Sequence, residues 1–232
     1  KRIFVSVTKG IETTSLRRIS EIARAELGNI PFAVLSGPTI AAEVAKGIPT
    51  TAVVASRNMR IARKVQEVFN SDSFRIYTNT DVVGVELGGS IKNIIAIACG
   101  VCDGLGLGTN AKAAIVTRGL AEMARLGTAL GGKAKTFSGL TGLGDLVTTC
   151  FSPQSRNRYV GEQLGSGKSI GKIINSMEMV AEGVETAKGV YKLSKKHRVP
   201  MPITEEVYQI ICRNKKPADA VTDLMSRKAK AE

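Results

Sequence analysis

The hydrophobic pattern changes its period near Asp81, and this change constrains the chain more than any other feature. Before it, β-branched runs alternate with polar stretches of helical spacing. Ile3 to Thr8 reads as a buried strand closed by Lys9-Gly10, and Leu16, Ile19, Ile22 and Ala23 give Leu16 to Leu27 a helical face. Ala33-Val34-Leu35-Ser36-Gly37-Pro38 is a second strand and turn, and Thr39 or its neighbours start a short helix running through Val44. Thr51 to Ala55 makes a third strand, Met59 to Phe69 a helix, and Phe74 to Tyr77 a fourth strand. This alternation predicts a parallel α/β layer. After Asp81 long apolar helical segments follow one another between glycine-rich loops. The main candidates are Val82 to Ala98, Ala111 to Leu126, Gln154 to Leu164, Val184 to Lys196 and Ile203 to Ile211. The expected fold class is therefore α/β plus all-α: the C-terminal part of a Rossmann-like parallel sheet, then a helical catalytic unit. The boundary falls near residues 78 to 82, dividing 1–80 from 81–232.

The chain opens on Lys1, directly before a strand, and four parallel strands buried on both faces normally belong to a larger doubly wound sheet. Sequence preceding Lys1 is therefore expected. A sheet without its neighbours exposes a strand edge, so self-association is expected too, with a homodimer among its forms.

Composition narrows the function classes. The chain has 232 residues, 43% hydrophobic and 23% charged, which is globular rather than a disordered polyelectrolyte. A net charge of 33 − 20 = +13 admits nucleic acid, an anionic membrane surface or an anionic small substrate. Aromatic residues make up only 4% and Trp is absent, so stacking platforms for bases are few. No RNP-like, zinc or helix-turn-helix signature supports a nucleic-acid partner. No leader and no uninterrupted apolar run of about 18 residues is seen, which points to a cytoplasmic chain without a membrane span. Of the four cysteines, Cys99 and Cys102 lie in an apolar run where cysteine behaves as a small hydrophobe. With His197 as the single histidine, at a helix end among cations, no metal site is expected.

Lys92, in Gly88-Gly89-Ser90-Ile91-Lys92-Asn93-Ile94-Ile95, is the strongest anomaly. At helical spacing its neighbours are Gly88, Gly89, Ala96 and Cys99, all small, leaving room for a ligand or another backbone. A lysine there either looks into a cleft or snorkels to the surface from a half-buried helix. Gly139-Leu140-Thr141-Gly142-Leu143-Gly144-Asp145 is a glycine-punctuated loop ending in one acid. Ser155, Arg156 and Asn157 near a helix start combine hydroxyl, guanidinium, amide and backbone donors suited to a phosphate. The alternative is that Ser152-Pro153 caps the helix and the arginines are solvated. Lys9 follows the first strand, and Ser36-Gly37-Pro38-Thr39 follows the second, where open α/β sheets bind ligands or simply turn into helices. Gly104-Leu105-Gly106-Leu107-Gly108 follows an apolar helix and reads as a helix stop rather than a dinucleotide cradle.

Together these segments resemble the bacterial-type NAD(P)-dependent glycerol-3-phosphate dehydrogenases. The likeness runs through Val5 to Glu12, Leu35 to Thr39, Lys92 to Ile97, Asn110 to Gly119, Gly139 to Leu146, Ser155 to Asn157 and Ala181 to Gly183, in order along nearly the whole chain. The resemblance implies a Rossmann domain paired with an all-helical C-terminal domain, and NAD or NADP as cofactor. The family's glycine-rich cofactor loop lies in a part that this chain does not contain. By the same resemblance Lys92 is the proton acceptor, and Lys9 is shared between substrate and cofactor. Gly37, Thr39, Asp145, Ser155, Arg156 and Asn157 are implied substrate-site residues, Arg156 also lying near the cofactor. Ala41, Val180 and Glu182 are implied cofactor contacts. The implied reaction interconverts sn-glycerol 3-phosphate and dihydroxyacetone phosphate and supplies glycerophospholipid synthesis, so the partner is a small phosphorylated three-carbon substrate. The competing readings are a two-domain dehydrogenase of another hydroxy acid and a basic nucleic-acid-binding module.

Overall fold

The computed structural model describes residues 2–229 and 231. Four short strands form one sheet in the order β1 (Phe4–Ser6), β2 (Phe32–Ser36), β3 (Thr50–Ala55), β4 (Phe74–Asn79). Helix α1 (Ile19–Leu27) joins β1 to β2, α2 (Ala41–Ala45) joins β2 to β3, and α3 (Met59–Phe69) joins β3 to β4. Alternation along the strands sorts their side chains onto two faces. Ala33, Leu35, Ala52, Val54 and Ile76 pack under Ala62 and Val65 of α3. Val34, Val53 and Ala55 face Val82 and Val85 of the next helix.

The sheet is mixed, which corrects the expected all-parallel order. β1 with β2 and β3 with β4 are parallel, but β2 with β3 is antiparallel. The reason lies in the β2–β3 connection. Its only helix has 5 residues, roughly 7.5 Å of rise, too short to carry the chain back along a strand of about 17 Å. Gly37 makes the turn at φ 148°, a conformation side chains disfavour. A Cβ there would sit 3.0 Å from Ala52 Cα, so β3 passes directly against it.

From Val82 onward the described chain is helical: α4 (Val82–Gly104), α5 (Gly108–Ala129), α6 (Ala134–Phe137), a π turn (Leu140–Gly144), α7 (Asp145–Phe151), α8 (Arg156–Gly165), α9 (Ile170–Asn175), α10 (Glu182–Lys196), α11 (Pro202–Arg213) and α12 (Pro217–Met225). Asp81 starts α4 by accepting Gly84 N at 2.8 Å on Oδ1. Its Oδ2 accepts Lys133 N and Thr136 Oγ1, tying α6 to the same point. The glycine-punctuated stretch expected to be a loop is the π turn, and it runs directly into α7. The expected helix from Leu16 begins instead at Ile19. Leu16 is left-handed (φ 61°), inside a loop closed by a bridge between Ile11 and Arg18.

Helix α4 is the axis of the helical body. By length and composition it could cross a membrane, but nearly all of it is buried inside the protein. Leu87, Ile91, Ile94, Ile95 and Ile97 lie in the main core, each contributing about 1.5–3 kcal/mol by burial. On its other side α4 meets α8 through facing small residues. A Cβ on Gly100 would strike Arg158 O, and one on Gly161 would strike Ile97 O. One on Gly165 would lie 2.6 Å from Val101 O, so the two backbones touch along this seam.

We expect Gly161→Ala to cost about 3 kcal/mol or more in urea unfolding, because the obstructing atoms are rigid backbone. Gly171→Ala, where a Cβ would meet nothing within 4 Å, should change stability by no more than about 1 kcal/mol.

Candidate active site

The site is built from the end of β1, the β2–α2 turn, the middle of α4 and the first turn of α7. Lys92 points inward from α4, its side chain only 6% exposed. It does not snorkel. Its ammonium donates to Asp145 Oδ1 and, at 2.7 Å, to Thr149 Oγ1. Asp145 is buried and begins α7, where helix N-terminal amides favour a carboxylate. Its second oxygen, Oδ2, accepts Lys9 Nζ at 2.8 Å. Lys9 Nζ also donates to Gly37 O at 3.0 Å and reaches Thr39 Oγ1 at 3.5 Å. One carboxylate thus lies between two amines, and the β2–α2 turn holds the more exposed amine from above.

The small residues flanking Lys92 admit neighbouring chain. A Cβ on Gly88 would lie 2.6 Å from Thr141 O in the π turn, and one on Gly89 would lie 2.7 Å from Ser36 Oγ and 3.4 Å from Lys9 Cγ. Backbone of the π turn fills the space at Gly88, and the side chains of Ser36 and Lys9 fill it at Gly89. These contacts bring the Asp145 turn and the Lys9 loop against α4.

Burial pushes the Lys92 amine down from its ordinary range to about 8. Asp145 opposes the shift and Lys9, a second cation, adds to it.

A second cluster forms at the start of α8. Ser155 is the N-cap and accepts Arg158 N at 3.2 Å. Ser152-Pro153 therefore does not cap this helix. Arg156, half-buried, donates Nη1 to Val180 O at 2.7 Å. Asn157 is buried, and its Oδ1 accepts Gly183 N at 2.9 Å. Val180 is 71% exposed, and Glu182, the first residue of α10, is also exposed. The two clusters meet at Asn93. Its backbone O would touch a Cβ on Gly183 at 2.9 Å, while its Nδ2 reaches Lys9 O at 3.5 Å. Ala41 stands exposed at the start of α2, two residues past Thr39.

Thr149 and Asn93 join the site without a signal of their own in the sequence. Thr149 lies four residues after Asp145, on the same face of α7. That spacing became informative only once Asp145 was known to begin a helix. A cavity of about 550 Å³ lies elsewhere, between α1 and the start of α3, lined by Ser20, Arg24, Asn29 and Arg57. None of the site residues above lines it, and volume is a weaker guide than converging titratable groups.

A mixed sheet followed by a helical body, with paired lysines on one buried acid between them, defines a two-part α/β and all-α enzyme plan. Residues 81–222 match the family model of the NAD-dependent glycerol-3-phosphate dehydrogenase C-terminus, and residues 1–62 match that of its N-terminus. The chain belongs to the NAD-dependent glycerol-3-phosphate dehydrogenase family. It is 53% identical over 234 residues to a glycerol-3-phosphate dehydrogenase [NAD(P)+] of Pelodictyon phaeoclathratiforme, covering 100% of this chain and 70% of that relative. A protein of the same name from Citrifermentans bemidjiense is 53% identical over 99% of this chain and 70% of its own. The crystal structure of glycerol-3-phosphate dehydrogenase from Coxiella burnetii superposes with a TM-score of 0.95 at 44% identity, covering 98% of this chain and 70% of that one.

We expect Asp145→Asn to destabilise the protein by about 3 kcal/mol at pH 7, since two amines would lose their shared counter-charge. Lys92 would then titrate below about 8. Its folded pKa already lies under the unfolded value, so the unfolded chain binds more protons between the two and stability rises with pH there. Urea titrations from pH 6 to 10 should show the variant's deficit shrinking up to about pH 8, where the unsubstituted amine also gives up its proton, and staying level above it.

Proposed function

We propose that this chain interconverts sn-glycerol 3-phosphate and dihydroxyacetone phosphate, with Lys92 moving the proton at the substrate's C2 oxygen. The observation that carries this reading is the buried Lys92 amine, held between Asp145 and Thr149 with a pKa of about 8. A base or acid of that pKa is matched to work near neutrality. In reduction the ammonium form polarises the carbonyl and gives up its proton. In oxidation the neutral amine takes the hydroxyl proton. Asp145 and Thr149 orient the amine, and Lys9 adds positive charge where the oxygen becomes negative.

For the phosphate, Ser155, Arg156 and Asn157 supply hydroxyl, guanidinium and amide at the N-terminus of a ten-residue helix. Arg156 gives one of its five donors to Val180 O, which tethers the guanidinium and leaves its other donors for a phosphate. Gly37 and Thr39 border the Lys9 side of the same reading.

The donor set also fits a nicotinamide dinucleotide. Exposed Met179 and Val180 beside the Arg156 guanidinium offer apolar and cationic contacts of the kind an anionic, ring-bearing cofactor uses. Lys9, Ala41, Arg156, Val180 and Glu182 would hold it, and when bound it supplies the hydride chemistry. In this reading residues 1–80 belong to the cofactor-binding unit and 81–232 to the catalytic unit, supported by the break in pattern at Asp81. The product serves as the three-carbon backbone for glycerophospholipid synthesis. All four cysteines are free and three are buried, which supports a reducing, cytoplasmic setting.

Lys92→Met should lower turnover about 100-fold or more in either direction; turnover at the unsubstituted rate would remove Lys92 from the mechanism. Arg156→Lys should mainly raise the KM for the phosphorylated substrate, because a lysine cannot reproduce bidentate contacts. Plots of kcat/KM against pH should have opposite slopes in the two directions. Oxidation should rise through pH about 8 as the amine becomes neutral, and reduction should fall over the same range.

A further inference from the structure

Glu86 is a buried carboxylate on α4, six residues before Lys92, and nothing in the chemistry above uses it. It is nevertheless fully engaged. Oε2 accepts Arg18 Nη1 at 2.7 Å and Ser20 Oγ at 2.6 Å, while Oε1 accepts Ser20 N at 2.7 Å. Glu21 takes the other arm of Arg18, with Nη2 donating to Oε1 at 2.7 Å, so the guanidinium is held from two sides.

These donors sit where the long loop after β1 ends and α1 begins, and that loop carries Lys9. Arg18 pairs through its backbone with Ile11, two residues beyond Lys9. Ile11 is buried in the main core of the helical body, and Leu16 packs against the same core. The loop thus leaves the sheet, enters the helical body and returns to α4 at Glu86. One turn further along α4, Gly89 lies against Lys9 Cγ. Apolar burial of Ile11 holds the loop near the helices without fixing its angle. An ion pair and two further directed hydrogen bonds do fix it, because parting the groups would leave charges buried without partners.

We propose that Glu86, with Arg18 and Ser20, is a clamp that positions Lys9 against Asp145 and so sets the electrostatic environment of Lys92. Glu86 is a positioning residue, acting through the loop and touching no reacting atom. The proposal rests on the assignment of Lys92 and Lys9 made above. The groups facing the Lys92 amine are Lys9 from the loop and Asp145 and Thr149 from α7. Releasing the clamp lets Lys9 withdraw, which removes a cation that favours the neutral form of Lys92. The base form would then appear only at higher pH.

The test compares glycerol 3-phosphate oxidation by Glu86→Gln, Ser20→Ala, Lys9→Met and Lys92→Met across pH 6 to 10, with melting curves for each. Glu86→Gln should lower kcat by about tenfold or more at pH 8 and move the kcat/KM midpoint upward, in the direction Lys9→Met moves it. Ser20→Ala, which removes one side-chain donor, should show the same upward shift to a smaller extent. A folded Glu86→Gln with the unsubstituted midpoint overturns the proposal, whether or not kcat falls, since a purely structural role would lower kcat alone. Should Glu86→Gln fail to fold, an unmoved midpoint in Ser20→Ala overturns it. If Lys9→Met leaves the midpoint in place, the clamp has no lever on Lys92 and the proposal also fails. Full turnover in Lys92→Met would instead sink the functional reading, a distinct outcome from loss of the clamp alone.

Discussion

Two amines share one buried carboxylate, and much of the structure serves to keep them there. Asp145 lies between Lys9 and Lys92, and each of the three comes from a different part of the chain. An ammonium deep in a protein is costly unless paired, and a carboxylate serving two cations balances less than one charge for each. Burial lowers the Lys92 amine, Asp145 opposes that and Lys9 adds to it, which leaves the group at a pKa of about 8. Such a balance needs fixed distances, because the attraction of Asp145 and the repulsion of Lys9 act in opposite senses on the same amine.

The fixed distances come from backbone contact. α4 is stripped of side chains at Gly88 and Gly89, so the π turn and the Lys9 loop can lie against it. Further along, Gly100, Gly161 and Gly165 let α8 rest on α4, and Asn157 of α8 meets Asn93 of α4 across Gly183. Lys92 and Asn93, adjacent on α4, therefore mark where the amine cluster and the guanidinium cluster join.

Specific residues show why part of this was legible beforehand. Lys92 stood out because a single cation in an isoleucine-rich helix with glycines one turn away has few structural explanations. Asp145 was visible as the acid ending a glycine-rich stretch and as a residue that the family resemblance implies, but its place at a helix N-terminus was not. Thr149 and Asn93 carried no signal of their own, since a threonine on an unrecognised helix and an asparagine beside a lysine are ordinary. The partners of Glu86 are 66 and 68 residues away in sequence, beyond the reach of any local pattern.

By itself the sequence determined the four strands and the long helices in their order, because period-2 and period-3.6 patterns are local properties of the chain, and it singled out Lys92. The tertiary structure alone decided that β2 and β3 run antiparallel, a matter of how far a five-residue helix can carry the backbone. It alone decided that Lys9 and Lys92 meet at Asp145. Those contacts join residues 136 and 53 positions apart, and their existence depends on three-dimensional packing that no local pattern encodes.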